Sequence, residues 1–133
     1  MGEVTTESRA ILDTSVVIAD NVIPLPGILT ISSVTLAELH FGVLVARSDI
    51  TRAERLRRLL ILQRQFDALP VDEAVAASYG QIAAAVVTIG RQPRARTMDL
   101  IIAATAHAHS AALYTRNPKD FVGLEDLVEV HAV

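Results

Sequence analysis

The stretch Ala10-Ile11-Leu12-Asp13-Thr14-Ser15 joins a short apolar run to a carboxylate and two hydroxyls. An apolar run closed by helix-capping residues reads as a buried strand, Ala10 to Leu12, that turns at Asp13 into a brief helix reaching about Asp20. The pattern recurs downstream. Two prolines and a glycine make Ile23-Pro24-Leu25-Pro26-Gly27 a loop, and Ile28 to Ile31 a second strand. Ser32 and Ser33 cap a helix from about Val34 to Ala46, along which Leu36, Leu39, Val43 and Leu44 recur at helical spacing. Thr51 with Glu54 forms a capping-box pattern for a helix to about Asp67. Leu69 to Val71 reads as a third strand, Asp72 caps an alanine-rich helix to about Ile89, and Gly90 stops it. Thr97 precedes a helix from about Met98 to Ser110 that is apolar on nearly every side, hence buried, and Ala112 to Thr115 and Val128 to His131 complete the strands. Strands alternating with helices require crossovers, so the fold class is α/β, a parallel β-sheet of about four to five strands flanked by helices.

The 133 residues fit a single domain, spanning 10–133 behind a polar leader of residues 1–9. A composition that is 51% hydrophobic is enough for a sizeable core. The apolar runs Ile82 to Val87 and Leu100 to Ala104 fall far short of the roughly 20 residues that span a bilayer, so no membrane partner is expected. The opening MGEVTTESR lacks the apolar segment of a secretion signal, which points to a cytoplasmic protein. With no cysteine, disulfides, thiolate zinc sites and cysteine nucleophiles are excluded, and any metal must rest on oxygen or histidine.

The net charge of −3 is unevenly spread. Six arginines lie between Arg47 and Arg64, and Arg91, Arg94 and Arg96 form a second cluster, whereas the chain from Asp120 onward is acidic apart from its histidine. Eleven of the twelve basic residues are arginine, the side chain that grips phosphate or carboxylate in bidentate fashion.

Open parallel sheets bind ligands beyond the carboxyl ends of their strands, where Asp13 lies. Taken singly, Asp13 and Asp99 read as helix caps and Glu38 as a solvated helix residue. Taken together they can converge on one cleft, and convergence is costly. Two negative charges about 4 Å apart repel by roughly 4 kcal/mol at an effective dielectric near 20. Raised carboxyl pKa values, intruding arginines or a divalent cation can offset that repulsion. Clustered hard oxygens suit Mg²⁺ or Mn²⁺. Such an ion keeps open positions for a water and for phosphodiester oxygens, which is the chemistry of a nuclease.

Four blocks carry a family resemblance: Ile11-Leu12-Asp13-Thr14-Ser15, Thr35-Leu36-Ala37-Glu38-Leu39, Asp99 through Ala106, and Thr115-Arg116-Asn117-Pro118-Lys119-Asp120-Phe121. In order and spacing they resemble the PIN domain, and more narrowly the VapC-type toxins. The resemblance implies a three-layer PIN-like sandwich and a Mg²⁺ (or Mn²⁺)-dependent endoribonuclease. It also implies a toxin of a toxin–antitoxin module, held in check by a cognate antitoxin protein. Asp13, Glu38 and Asp99 match the family's three catalytic, metal-binding acids, and Thr14 and Ser15 its polar pair beside the first acid. At the fourth family position, often aspartate, this chain has Asn117, with Asp120 three residues on.

None of the four blocks contains histidine, so a metal-activated water steered by a carboxylate, Glu38, is expected as nucleophile. His107 and His109 are two apart on one helix and cannot form a ligand pair. Neither a serine-hydrolase elbow nor a phosphate-binding loop is present. Arg91, Arg94 and Arg96 are the expected RNA contacts, since an acidic centre cannot itself attract a polyanion. The Arg47 to Arg64 face could serve RNA, antitoxin or water. A basic antitoxin tail among the acids would neutralise them. Abundant apolar helix surface and the family likeness point to a homodimer. Two other readings compete: a receiver-like Mg²⁺-binding signalling domain, with Asp72 after the third strand, and a PIN-fold binding module without catalysis.

Overall fold

The computed structural model describes residues 4–19 and 24–133. Strand β1 (Arg9–Leu12) is followed by the single-turn helix α1 (Thr14–Val17), strand β2 (Ile28–Thr30) and helices α2 (Ser33–Leu44), α3 (Asp49–Gln65) and α4 (Glu73–Thr88). Helix α5 (Thr97–Ala108), strand β3 (Ala112–Thr115) and strand β4 (Val130–Ala132) complete the chain, with short 3-10 turns at Pro93–Arg96 and Pro118–Phe121. The strands lie in the order β2-β1-β3-β4, every pair parallel.

Strand alternation builds the layers. Ile11 pairs with Leu113, and both enter a core shared with Val75, Ile82 and Val86 of α4 and Leu100 and Ile102 of α5. Their neighbours Ala10, Leu12, Ala112 and Tyr114 point to the opposite face, where Val16, Val17, Leu36 and Phe66 cover them. A sheet buried on both faces explains why its strands read as continuous apolar runs rather than alternating ones. Helix α5 is the most deeply placed, with Leu100 and Ile102 to Ala106 buried, as its apolar circumference requires.

Several boundaries differ from expectation for identifiable reasons. Leu69 to Val71 does not form a strand: Leu69 makes one bridge to Ser32, through Ser33 N–H to Leu69 O and Leu69 N–H to Ile31 O, and Pro70 cannot donate the next bond. Helix α3 begins earlier than the Thr51–Glu54 pattern suggests, because Ser48 is the cap, accepting from Thr51 N–H. Ser32 caps α2 through Val34 N–H, and Asp72 caps α4 through Val75 N–H. Gly90, at φ 81°, ends α4 by adopting the left-handed conformation. Thr14 and Ser15 lie inside α1 and cap nothing, and Asp13 at its N-cap position makes no side-chain capping bond. The expected end of that helix near Asp20, and Ile23 of the following loop, lie outside the described residues. Among the described residues no single helix is long and apolar enough to cross a membrane.

Candidate metal-dependent nuclease site

The strand order creates the site. From β1 the chain passes to β2 on one side, whereas β3 lies on the other, so the crevice between the carboxyl ends of β1 and β3 is a topological switch point. Asp13 closes β1 there, 4% exposed, and Thr115, fully buried, closes β3. Both Thr115 Oγ1 and Ser15 Oγ donate to Asp13 Oδ2, at 2.9 and 2.7 Å. These hydroxyls are themselves held from the backbone, Thr115 by Asn117 N–H at 3.0 Å and Ser15 by Arg116 N–H at 3.1 Å. One carboxylate oxygen is thus saturated by protein donors, and Oδ1 is left to face the crevice.

Glu38, in α2, is fixed separately: Thr14 Oγ1 donates to Glu38 Oε1 at 2.7 Å and also bonds the buried Thr35 hydroxyl at 2.9 Å. Of the polar pair at 14–15, therefore, Ser15 reaches the first acid and Thr14 the second. This division, and the parts of Thr115 and Thr35, were not legible beforehand. The available signal was a threonine closing an otherwise apolar strand beside Asn117, the counterpart of Asp13 at the end of β1.

Asp99 sits in the first turn of α5 and lines, with Glu38, Arg94 and Arg96, a cleft of about 300 Å³. Its carboxyl is pushed up to about 6, first by burial, then by the negative charges of Asp13, Asp120 and Glu38, with Arg96 opposing. Four acids distant in sequence therefore share one electrostatic neighbourhood. Arg96 donates to Asp120 Oδ1 at 2.5 Å, so this arginine is engaged by an acid beside the cleft as well as placed at its rim. Arg94 also lines the cleft, and Arg91 donates to Lys119 O at 3.3 Å, tying the arginine loop to the turn that carries Asp120. Asn117 is exposed and contributes its backbone N–H to Thr115; its side chain makes no hydrogen bond among the described residues. His107 bonds Ser78 through Nδ1 at 2.8 Å, away from the acids.

The donor set suits a hard divalent cation. Its oxygens come from carboxylates with mutual repulsion left uncompensated at Asp99. Among the described residues no three acidic or histidine side chains close on one point as a finished coordination sphere. That openness matches Mg²⁺, which uses one or two carboxylates and keeps waters and phosphate oxygens for the rest.

A small parallel sheet with acids at its switch point defines a class of metal-assisted nuclease folds. Residues 10–124 match the family model of the PIN domain. The chain is 34% identical over 136 residues to Ribonuclease VapC5 of Mycobacterium tuberculosis, covering 97% of each chain, and 37% identical over 100 residues to Ribonuclease VapC8 of the same species, covering 72% and 88%. Among solved structures, VapBC-5 from Mycobacterium tuberculosis, described as a member of the VapBC family of toxin–antitoxin systems, superposes with a TM-score of 0.80 at 32% identity, over 96% of this chain and 98% of that one. FitAcB from Neisseria gonorrhoeae gives 0.73 at 31% identity, over 91% and 95%. The chain belongs to the PIN-domain family, in its VapC-type branch.

Proposed function

We propose that this VapC-type toxin cuts RNA at the Asp13, Glu38 and Asp99 cleft with Mg²⁺ or Mn²⁺ held there, and that a cognate antitoxin protein restrains it. Endoribonuclease activity and membership of a toxin–antitoxin module go with its family and relatives. The observation that carries the assignment of the site is the Asp99 carboxyl, raised by burial and by three other acids brought together at the β1–β3 crevice. It is the electrostatic imprint of a place built for positive charge.

Asp13 through Oδ1, Glu38 through Oε2 and Asp99 would hold the ion, with Asp120 close by. When bound, the ion supplies Lewis acidity toward a phosphate oxygen and acidifies water. The protein's own part is positional. Ser15 and Thr115 stop Asp13 from rotating, and Thr14 fixes Glu38 so that its second oxygen can accept a proton from the attacking water. Arg94 and Arg96 at the rim attract the substrate backbone. A basic segment of the antitoxin placed among the acids would substitute for the cation and shut the site. A homodimer of single-domain subunits spanning 10–133, acting in the cytoplasm where its RNA lies, completes the reading. The receiver-like alternative falls because Asp72 is occupied as the α4 cap and β1 ends in a lone acid.

The test is cleavage of a mixed RNA substrate by partner-free protein in Mg²⁺, Mn²⁺ or chelator. Cutting that requires the ion and is lost in Asp13→Asn supports the site. Equal cutting in chelator removes the metal, and no cutting under any condition leaves a PIN-fold binding module.

A further inference from the structure

We propose that a nucleotide flanking the scissile bond seats its base against Phe41 in the cavity between α2 and α3, with Arg55 and Arg58 taking its phosphate. The proposal rests on the ribonuclease reading above and assigns that site a base-selecting pocket.

The cavity measures about 420 Å³, within the roughly 300–1,000 Å³ of small-ligand sites, and is lined by Thr14, Glu38, Phe41, Gly42, Arg55 and Arg58 among others. Thr14 and Glu38 belong also to the acidic centre, so the cavity opens directly onto the reacting position. Helical spacing explains the rest of its walls. Glu38, Phe41 and Gly42 fall on one face of α2, and Arg55 and Arg58, three apart, on the facing side of α3.

Phe41 is 66% exposed, an aromatic ring left in water beside a catalytic carboxylate. Arg55 spends one donor on Gly42 O at 2.7 Å, and the guanidinium has five. A Cβ built at Gly42 meets nothing within 4 Å, so the cavity floor is open. An aromatic face with guanidinium groups beside it is the chemistry that holds splayed single-stranded bases and their phosphates. Charge sign separates this occupant from a protein one. A cationic tail suited to the acids would meet two guanidiniums here, whereas a polyanion is attracted.

The experiment uses the full-length, partner-free protein with Mg²⁺ and a 5′-labelled single-stranded RNA randomised over its central positions, sequencing the cut ends and measuring KM and kcat. The wild type is expected to show a base preference at one position flanking the cut. Phe41→Ala and Gly42→Leu flatten that preference and raise KM about tenfold or more, with kcat little changed, and Arg55→Met raises KM with the preference kept. Gly42→Leu fills open space in a helix and keeps the fold, checked by thermal melting. Unaltered preference and KM in folded Phe41→Ala and Gly42→Leu overturn the pocket while the ribonuclease stands. If these variants lose only binding of a second protein, the cavity belongs to that partner. A wild type that cuts no RNA overturns the parent reading and this one with it.

Discussion

Thr115 Oγ1 donates a 2.9 Å hydrogen bond to Asp13 Oδ2, linking the ends of two neighbouring parallel strands across 102 residues of sequence. The bond lies at full burial, so neither group can exchange its partner for water.

Thr115→Val keeps the shape and removes the donor. Stability should fall by about 1 kcal/mol, and cleavage by tenfold or more, as when a residue supporting a metal ligand is lost. Thr115→Ser should recover most of both. Denaturant titration and an RNA cleavage assay read the two effects; a fully active Thr115→Val would deny the hydroxyl its positioning role.

Asp99→Asn should abolish cleavage and yet stabilise the metal-free protein at neutral pH. The Asp99 carboxyl titrates near 3.8 when unperturbed and about 6 in the fold. Below the lower value it is protonated in both states and contributes nothing adverse. As pH rises through about 6 the unfolded chain has already ionised while the folded one resists, so stability is lost over that window. Discounted for solvent screening, the loss is roughly 1 to 2 kcal/mol. Urea titrations at pH 4.5 and 7.5 should show the wild type losing stability relative to Asp99→Asn. Equal pH dependence in both proteins would contradict the assignment.

Metal should reverse that loss. Mg²⁺ or Mn²⁺ is expected to raise the melting temperature at pH 7.5, to do so weakly at pH 5, and to leave Asp13→Asn nearly unaffected. Chelator should restore the metal-free value. Equal stabilisation of wild type and Asp13→Asn would place the ion elsewhere.

Arg96 lowers the Asp99 pKa while Asp120 raises it, although the two are paired with each other. Arg96→Met should therefore move the acid limb of the pH–rate profile upward and Asp120→Asn should move it downward. Both limbs staying in place would mean that Asp99 does not govern that limb.

Gly27 has φ 121°, and a Cβ there would stand 2.9 Å from Ser8 O, a backbone atom that cannot move aside without breaking the Ile28 N–H to Ser8 O bond at 2.7 Å. Gly27→Ala should cost about 1 to 3 kcal/mol, read by thermal or urea unfolding, with little change in cleavage per folded molecule. An unchanged midpoint would show that the turn tolerates a side chain.

Much of the layer arrangement was legible because it follows from periodicity. Runs such as Ala10 to Leu12 and Ala112 to Thr115 are apolar on both sides of a pleat and must be buried, and the all-round apolar helix carrying Leu100 to Ala106 has nowhere to go but the core. The short third strand was misread because Leu69 carries the right side chain for a sheet, while Pro70 stops the ladder after one bridge. The capping box at Thr51 was displaced because Ser48 offers the same chemistry one turn earlier. Thr14 and Ser15 look like caps in isolation, but ionised carboxylates nearby are stronger acceptors than backbone amides.

From residue order alone, this protein was an α/β domain without thiol chemistry, holding acids at the front ends of separate elements and arginines apart from them. Those features are local: they depend on side-chain type and on spacings of two and of 3.6 residues. Folding decided which acids meet, which hydroxyl serves which carboxylate, and that Arg96 lies against Asp120 while Phe41 stands bare beside Glu38. These are contacts between residues tens of positions apart. They depend on strand order and register, which no local pattern contains.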